Sequence, residues 1–290
     1  MPLRVVWDPM LSLFTRQTTG LSFMHGGVGA ALATQRGTTL VLRKHVESAA
    51  PEDVTGMPDR EKVVAALRSI KKSRMPLTRC VALLPSNRVY TQLATLSPLA
   101  KKNIAAHMHG IIASTIPEPF QSLHTLEQTL REYPDRIEVA VAAVRRDVLD
   151  AYKAACSETG VGISALTTPA AAIAGILPKK HPSFLLLHAS AEEVTVSLVH
   201  HGWPVDEDVM PTGTSLDALS RSVESMATEY RGKGLVLDTL YVAGGSFEAM
   251  PQASSLGIER VFPDFQEGSW LAAACASVVR PSDLAINFVS

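Results

Sequence analysis

The sequence predicts a mixed α/β protein with two related lobes, because one strand pattern occurs twice and a helix follows it both times. Residues 20–46 contain three short extended runs, LSFM, AALAT and TLVLRKHV, separated by glycine-containing turns. Residues 183–209 repeat this order with FLLL, VTVSLV and WPVDEDV. An internal repeat of this kind indicates a duplicated architecture rather than one continuous sheet.

An amphipathic helix and a further strand follow each strand triplet. The first helix is expected over residues 59–72 and the second over residues 215–230, since apolar side chains recur there at helical spacing. The helices lead to the strands CVALLP at 80–85 and TLYVAGG at 239–245. Strands that alternate with helices after a meander are typical of the α/β class.

A third pattern lies between the two halves. Strand-like VYTQLATL precedes a helix over about 98–114, and two more strand-like runs precede a helix over 146–159. We interpret this block as an inserted α+β subdomain, followed by an alanine-rich buried helix that starts at Pro169. The predicted boundaries are 1–85 for the first lobe, 86–167 for the insertion, 168–182 for the return to the first lobe and 183–290 for the second lobe.

Composition excludes several classes of protein. The 290 residues are 46% hydrophobic and 19% charged, which is the balance of a packed globular chain. A net charge of -1 offers no field for a nucleic-acid backbone, so we expect no nucleic-acid partner. Cys80, Cys156 and Cys275 form no CxxC pair, so we expect a reducing compartment and neither disulfides nor a zinc site. The uncharged stretches 17–35 and 159–178 are interrupted by glycine, proline or polar residues, so neither predicts a membrane span.

The first turn of each meander is a candidate phosphate site, since backbone N–H groups in a glycine-containing hairpin can cradle an anion. A magnesium-bound phosphate also needs a carboxylate nearby. Met24-His25 and Leu187-His188 stand where that carboxylate is expected, and we place the two histidines at equivalent points of the two turns. We interpret them as turn residues of a site without catalysis; the alternative is that they are substitutes in a working site.

Three other patterns have a chemical and a structural interpretation. His200 and His201 are neighbours on a strand and point to opposite faces, so they do not predict a metal pair. Ser86 does not lie in a GxSxG motif, so we interpret it as a linker residue rather than as a nucleophile. Gly244 and Gly245 end a buried strand, which allows close approach either by a ligand or by a packed helix.

These patterns together resemble a family, the actin-like PilM proteins of type IV pilus machinery with the related cytoplasmic domains of GspL from type II secretion. GLSFMHGGVGAALATQRGTTLVLRKHVES resembles the opening phosphate hairpin of that family, and CVALLPSNRVYTQLATLSPL resembles the start of its inserted 1C subdomain. FLLLHASAEEVTVSLVHHGWPV is similar to the second hairpin, and LYVAGGSFEAMP to the glycine pair near the adenosine. The resemblance implies an actin-like fold of duplicated ribonuclease-H-like lobes with an inserted 1C-type α+β subdomain.

Departures from the family pattern bear on catalysis. Both hairpins lack the acidic residue, and Ala30-Ala31-Leu32 stands where the first hairpin usually has a lysine. Only residues 213–238 join the second meander to the next strand, so the IIB subdomain is expected to be reduced or absent. The resemblance, taken together with the loss of these residues, implies a non-catalytic scaffold without a cofactor. Phosphoryl transfer depends on a metal ion and on charges positioned around the phosphates.

The alternative function is that of an actin-like protein or ATPase that still binds ATP with magnesium through a divergent site. Its nucleotide contacts would be Gly26, Gly27, Ser190, Gly244 and Gly245. Glu192 or Glu193 would then supply the carboxylate for the metal. An FtsA-like division protein is a weaker alternative, because no terminal amphipathic membrane helix is recognisable.

The resemblance also implies where the chain works and what it binds. We expect a cytoplasmic position at the bacterial inner membrane, in a pilus, secretion or competence platform. The expected partners are a PilN-like inner-membrane protein, an assembly ATPase and a second copy of the chain. Partner contacts are expected from Arg88, Tyr90, Pro117 and Phe120.

The C-terminal sequence SDLAINFVS resembles the INLL segment of fused or partner proteins. Two interpretations remain open. The chain is either the soluble part of a longer membrane-anchored protein or a PilM-like subunit whose end carries the binding peptide of the partner.

Overall fold

The structure, a computed structural model, describes residues 18–24, 26–36, 39–50, 57–178, 180–190, 193–244, 255–265 and 270–289. Its strands are β1 Thr19–Phe23, β2 Gly27–Arg36, β3 Thr39–Ala49, β4 Cys80–Leu83, β5 Val89–Leu96, β6 Leu123–Glu132, β7 Ile137–Arg145, β8 Ile163–Thr167, β9 Ser183–Ala189, β10 Glu193–His200, β11 Trp203–Pro211, β12 Thr239–Ala243 and β13 Gly257–Val261. Its α-helices are α1 Arg60–Lys72, α2 Ile104–Thr115, α3 Arg146–Thr159, α4 Pro169–Ala174, α5 Leu216–Gly232 and α6 Leu271–Val278.

Five strands form the sheet of the first lobe, in the order β3-β2-β1-β4-β8. β1 pairs antiparallel with β2 and parallel with β4, and β8 extends the parallel side. The helices α1 and α3 pack on one face of this sheet, where Phe23 stacks on Tyr152 of α3 at 4.0 Å between ring centroids. Full burial of each such aromatic side chain contributes on the order of 2 kcal/mol.

The helix α1 begins at an N-cap that its sequence provides. The Asp59 carboxylate accepts hydrogen bonds from the backbone N–H groups of Glu61 and Lys62, which are unpaired donors of the first turn. Val63, Leu67 and Ile70 then form the buried face. The predicted helix over 59–72 is therefore confirmed, with Asp59 as its cap.

The second lobe repeats the first. Its sheet has the order β11-β10-β9-β12-β13, in which two antiparallel pairs are followed by two parallel pairs, as in the first sheet. The helix α5 alone connects β11 to β12, beginning at the N-cap Ser215. The duplication inferred from the repeated strand pattern and the reduced IIB subdomain are both confirmed.

The inserted subdomain is a three-stranded antiparallel sheet with the order β5-β7-β6. The helix α2 packs on it through the buried side chains of Met108 and Ile112. This helix is preceded by a 3-10 turn over Pro98–Asn103, so the predicted helix over 98–114 is α-helical only in its second part.

The insertion ends at Arg145, and the predicted boundary at residue 167 is corrected. The helix α3 lies against α1, and Arg60 and Arg68 of α1 each reach Glu158 of α3 at 3.0 Å. The strand β8 pairs with β4 in the sheet of the first lobe. Both elements therefore belong to the first lobe.

The helix α6 follows the second lobe in sequence but packs on the sheet of the first lobe, beside α4. Small residues allow this close approach: a Cβ at Gly20 would collide with the carbonyl oxygen of Ala273, and one at Gly29 would lie 2.6 Å from the Trp270 ring. The prediction that 183–290 forms the second lobe is thus wrong for residues 270–289, which complete the first lobe.

Candidate functional site

The first predicted phosphate turn is closed by its own backbone. Met24 N–H donates to Gly27 O at 2.9 Å, Gly27 N–H donates back to Met24 O at 3.4 Å, and Ala50 N–H donates to Gly26 O at 3.0 Å. A Cβ at Gly27 would lie 2.7 Å from Ser48 O on β3. The glycine at 27 is therefore explained by the close approach of β3, and its N–H group is committed to the hairpin rather than to an anion.

The second predicted phosphate turn is closed in the same way. Ser190 N–H donates to Glu193 O at 2.8 Å, and Glu193 N–H donates to Ser190 Oγ at 3.1 Å. The serine hydroxyl thus stabilises its own turn. Glu193 begins β10, while Glu192 lies outside the described residues.

Gly244 is explained by backbone geometry and helix packing. Its φ is +86°, a conformation that favours glycine, and a Cβ there would lie 3.3 Å from Cδ2 of Leu271 on α6. Its N–H group donates to Val261 O at 2.9 Å. Gly245 lies outside the described residues. Of the two interpretations of the glycine pair, helix packing accounts for the first member.

The register of the two hairpins corrects the expected equivalence of His25 and His188. The hairpins close between Met24 and Gly27 and between Ser190 and Glu193, so the residue two places before each closing position is Ser22 in β1 and His188 in β9. His188 is therefore a strand residue and not a turn residue, and its counterpart is Ser22. His25 lies outside the described residues.

The imidazole side chain of His188 is buried and uncharged at neutral pH. The side chain is 2% exposed, burial lowers its pKa to about 4, and its Nε2 has no hydrogen-bond partner among the described atoms. A neutral imidazole supplies neither a carboxylate for magnesium nor a positive charge for phosphate. Ser22 and His188 are thus poor replacements for a pair of acidic residues.

Glu207, which no sequence pattern singled out, has its carboxyl group buried on β11. Burial raises its pKa to about 8, and the charges of neighbouring Glu193 and Asp206 also raise it, whereas the hydrogen bond from Ser197 lowers it. Ser197 Oγ lies 3.2 Å from Oε1, while Oε2 has no partner among the described atoms. The group is therefore largely protonated at neutral pH. Strand alternation within the run Asp206-Glu207-Asp208 was the available signal, since it places the middle residue on the opposite face.

A buried polar chain joins the inserted subdomain to the second lobe. His200 Nδ1 lies 2.7 Å from Ser183 Oγ, and His200 Nε2 lies 3.1 Å from Glu138 Oε2 on β7. Glu138 and His200 are each 4% exposed, so this serine–histidine–carboxylate chain is closed to substrates. His201 is exposed with a φ of +50°. The two histidines do face different environments, as expected, and Ser183 and Glu138 provide the partners of His200.

The residues predicted to contact a partner lie on the inserted subdomain in two groups. Tyr90 Oη donates to Glu118 Oε1 at 2.7 Å, and its pKa is raised to about 12 by burial and by Glu118, against the opposing charges of Arg145 and Arg88. Arg88, Tyr90 and Glu118 therefore share one polar cluster. Pro117 is exposed next to Glu118. Phe120 instead stacks on His109 of α2, with ring centroids 3.8 Å apart.

The last described residues, 284–289, lie against the free edge of β8, with a bend at Ala285 and a turn at Phe288 and Val289. Phe288 N–H donates to Leu166 O at 2.8 Å, and Leu166 N–H donates to Asn287 Oδ1 at 3.1 Å. Lys153 Nζ of α3 donates to Phe288 O at 2.9 Å. This C-terminal segment is thus hydrogen-bonded to the edge of the first sheet through one backbone and one side-chain group.

The side chains of the C-terminal segment alternate between the interior and the surface. The buried positions are Leu284, Ile286 and Phe288, and the more accessible positions are Ala285, Asn287 and Val289. His124 of β6 lies beside the Phe288 ring, with 6.0 Å between ring centroids. We call the channel formed by β8, α3 and β6 the tail groove; it joins the first lobe to the inserted subdomain.

Two concave surface features of the described residues do not coincide with the predicted nucleotide contacts. A cavity of about 340 Å³ lies between the β2–β3 hairpin, the end of α4 and β13, and an open depression of about 400 Å³ lies on β11 and α5. Neither is lined by Gly26, Gly27, Ser190 or Gly244. Within the described ranges, no group of three or more histidine, cysteine or acidic side chains could hold a metal ion.

Comparisons with known proteins agree with this architecture. No protein-family model and no curated protein sequence matches the chain. A structure from a PilM-PilN type IV pilus biogenesis complex aligns with a TM-score of 0.67 at 16% identity, covering 90% of this chain and 98% of that chain. The cytoplasmic domain of EpsL, an inner-membrane component of the type II secretion system of Vibrio cholerae, aligns with a TM-score of 0.56 at 14% identity, covering 94% and 97%.

These likenesses confirm the fold that the sequence resemblance implied. The chain has the actin-like architecture of PilM- and GspL-like proteins, with both lobes and the insertion present. None of the helices in the described part of the chain is both long enough and apolar enough to cross a membrane.

Proposed function

We propose that the chain is a non-catalytic actin-like scaffold on the cytoplasmic face of a type IV pilus or type II secretion platform, where it binds a PilN-like membrane protein. The observation that carries the proposal is the near-complete coverage, in both directions, between this chain and a structure from a PilM-PilN complex. An assembly ATPase and a second copy of the chain are the further partners that we propose.

The chemistry between the lobes supports a role without catalysis. Phosphoryl transfer needs a metal and fixed charges around the phosphates. Ser22 and His188 occupy the equivalent strand positions beside the turns, and the Glu207 carboxyl is largely protonated at neutral pH. The described residues therefore do not fit a magnesium-bound triphosphate that is to be hydrolysed.

Partner capture tests the scaffold function. With the purified chain immobilised, the cytoplasmic segment of a PilN-like protein from the same genome should be retained by the unmodified chain. Reversing the charge at Arg88 together with Tyr90→Ala should weaken retention at least about tenfold, because the polar cluster with Glu118 would lose two members.

The matched control for this capture experiment is Arg221→Glu, which changes the same charge on the exposed face of α5. It should leave retention unchanged. Retention of the partner by the double variant as strongly as by the unmodified chain would contradict the assignment of this surface. Failure of the unmodified chain to retain any such partner would contradict the scaffold function itself.

The second candidate function is nucleotide binding without turnover. Three buried polar atoms without partners favour it: Thr167 Oγ1 at the end of β8, His188 Nε2 near the end of β9, and Thr195 Oγ1 opposite His188. Unpaired buried polar atoms cost free energy and are often satisfied by a bound molecule. Gly26, Gly27, Ser190, Gly244 and Gly245 remain the proposed contacts in this case.

Thermal unfolding with Mg-ATP separates the two candidates. A ligand present at 100 times its Kd should add about 2.7 kcal/mol of stability. We expect the melting temperature to stay unchanged with Mg-ATP, as a scaffold without a phosphate site requires. A saturable rise that His188→Ala alters would instead support nucleotide binding.

A further inference from the structure

The cavity of about 340 Å³ beside β13 lies where the two lobes meet, and we call it the junction cavity. The first lobe contributes Leu40 of β3 and Leu177, which follows α4. The second lobe contributes Tyr241 of β12 and the segment 259–265, which includes the end of β13. A molecule bound in the junction cavity would therefore contact both lobes at once.

The buried walls of the junction cavity are apolar and include two aromatic rings. Its lining residues Leu40, Leu177, Phe262 and Phe265 are each at most 6% exposed. In another protein, a dry apolar cavity of about 150 Å³ binds one benzene molecule, and the junction cavity has roughly twice that volume. It therefore has room for two fused rings, and aromatic rings suit the two phenylalanines because aromatic faces and edges attract each other.

The backbone of one wall is strained. Phe262 has a φ of +54°, in the left-handed region that favours glycine. Phe265 N–H donates to Phe262 O at 3.0 Å, which closes the turn whose two phenylalanines line the cavity. Strained residues of this kind occur most often at ligand sites and switch regions, so the turn supports a functional role for the cavity.

One polar group of the cavity lining has no partner. Tyr241 is 1% exposed, and its Oη has no hydrogen-bond partner among the described residues. Burial, followed by the charges of Glu259 and Asp238, raises the pKa of this hydroxyl, so it keeps its proton at neutral pH. A protonated phenol donates a hydrogen bond. Because an unpaired buried donor costs free energy, a bound molecule with an acceptor group would satisfy it.

The charged side chains that line the junction cavity balance each other. Lys180 and Arg260 are basic, whereas Glu259 and Asp264 are acidic. Lys180 Nζ lies 3.8 Å from Glu259 Oε2. An ion would gain no net attraction from this set and would lose its hydration against the apolar walls. The cavity therefore favours an uncharged molecule.

We propose that the junction cavity is a binding site for a small uncharged molecule with two fused aromatic rings and one hydrogen-bond acceptor. The rings lie among the leucine and phenylalanine side chains, and the acceptor receives the hydrogen bond of Tyr241 Oη. Because the ligand contacts both lobes, its binding favours the arrangement of the lobes that the structure shows. The proposal uses neither the phosphate turns nor the inserted subdomain, so it stands apart from the proposed function.

Equilibrium dialysis of the full chain against quinoline tests the proposal. Quinoline has two fused aromatic rings, is uncharged at neutral pH and carries one acceptor nitrogen. We expect saturable binding at one site with a Kd below about 1 mM, which is within reach of a ligand with so few atoms. N-methylquinolinium has a similar shape but a positive charge and no acceptor, so it should bind at least about tenfold more weakly.

Two variants identify the site. Tyr241→Phe removes only the hydroxyl group and should raise the Kd of quinoline at least about threefold, because the hydrogen bond is lost. Thr39 is an exposed residue of the cavity lining, so Thr39→Trp should fill the space next to it and abolish binding. The matched control is Thr95→Trp, the same change at an exposed position of β5, which should leave the Kd unchanged.

Three results would overturn the proposal. They are failure of the folded unmodified chain to bind quinoline, equal binding of N-methylquinolinium, and binding that Thr39→Trp leaves unchanged. Because Thr39 lies at the surface, its variant keeps the test decisive even where Tyr241→Phe does not fold. No pilus or secretion protein enters these measurements, so their failure leaves the scaffold function standing.

Discussion

At the scale of single residues, two buried titratable groups with opposite pKa shifts lie in the second lobe. The pKa of His188 is lowered to about 4 and that of Glu207 is raised to about 8, in both cases chiefly by burial. Both side chains are therefore neutral over most of the physiological range. Since an uncharged side chain costs less to bury than an ion, this pair favours packing over chemistry.

The Glu207 shift predicts a pH-dependent stability. The folded-state pKa lies above the ordinary value of 4.5, so the folded state retains a proton that the unfolded state loses, and this group reduces stability as pH rises from about 4.5 to 8. Glu207→Gln keeps the shape and cannot ionise. Relative to the unmodified chain, the variant should gain about 1 kcal/mol or more between pH 5 and pH 8, because one pKa unit corresponds to a free energy of about this size.

Urea unfolding at a series of pH values measures this gain for Glu207→Gln. Asp208→Asn is the matched control, because it removes a carboxyl group one residue away, at an exposed position of β11. A stability difference for Glu207→Gln that is the same at pH 5 and pH 8 would show that the carboxyl group is not held in its neutral form.

The individual site residues were predictable only where local pattern decides their environment. The opposite environments of His200 and His201 follow from strand alternation. The position of His188 within a strand could not be predicted in this way. The sequence His-Ala-Ser suggests a turn that begins at His188, whereas the turn begins two residues later, and only the register of the hairpin shows this. Glu138 and Ser183 became partners of His200 through contacts between distant parts of the chain, which no local pattern encodes.

At the scale of elements, the periodicity of apolar residues predicted the long helices and the two meanders. It did not predict α6, β8 or β13, which are short or buried on most sides. The helix α6 is rich in alanine and buried on most sides, so it has no polar face to produce a helical period. The strands β8 and β13 have five residues each and lie at sheet edges. Their existence depends on partners far away in sequence.

The contact of α6 with β1 gives a second prediction for stability. Gly20→Ala places a Cβ against the Ala273 backbone and should destabilise the protein by about 3 kcal/mol or more, because α6 must move away from the sheet. Gly110→Ala is the matched control. Its Cβ meets nothing within 4 Å in α2, so the same substitution there should stabilise by about 1 kcal/mol.

Chemical unfolding of both glycine variants provides the measurement. The opposite signs matter more than the sizes, since the added atom is identical. If Gly20→Ala were as stable as the unmodified chain, α6 would not pack against β1 as closely as described.

At the scale of the whole molecule, the sequence repeat predicted the duplication, and the order of motifs predicted the inserted subdomain. What the sequence did not predict is how the three units join. Trp203 of β11 donates its Nε1–H to Gln128 of β6 at 2.8 Å, and Glu138 of β7 contacts His200 of β10. These links hold the insertion against the second lobe while the tail groove holds it against the first.

The return of residues 270–289 to the first lobe has a consequence for biosynthesis. The first sheet gains its last strand, β8, when residue 167 is made, but α6 and the C-terminal segment that cover it are made more than a hundred residues later. Since translation proceeds at about 5–20 residues per second, α6 and the C-terminal segment are synthesised on the order of ten seconds after β8. During translation this apolar face of the first sheet therefore stays uncovered until the second lobe has been synthesised.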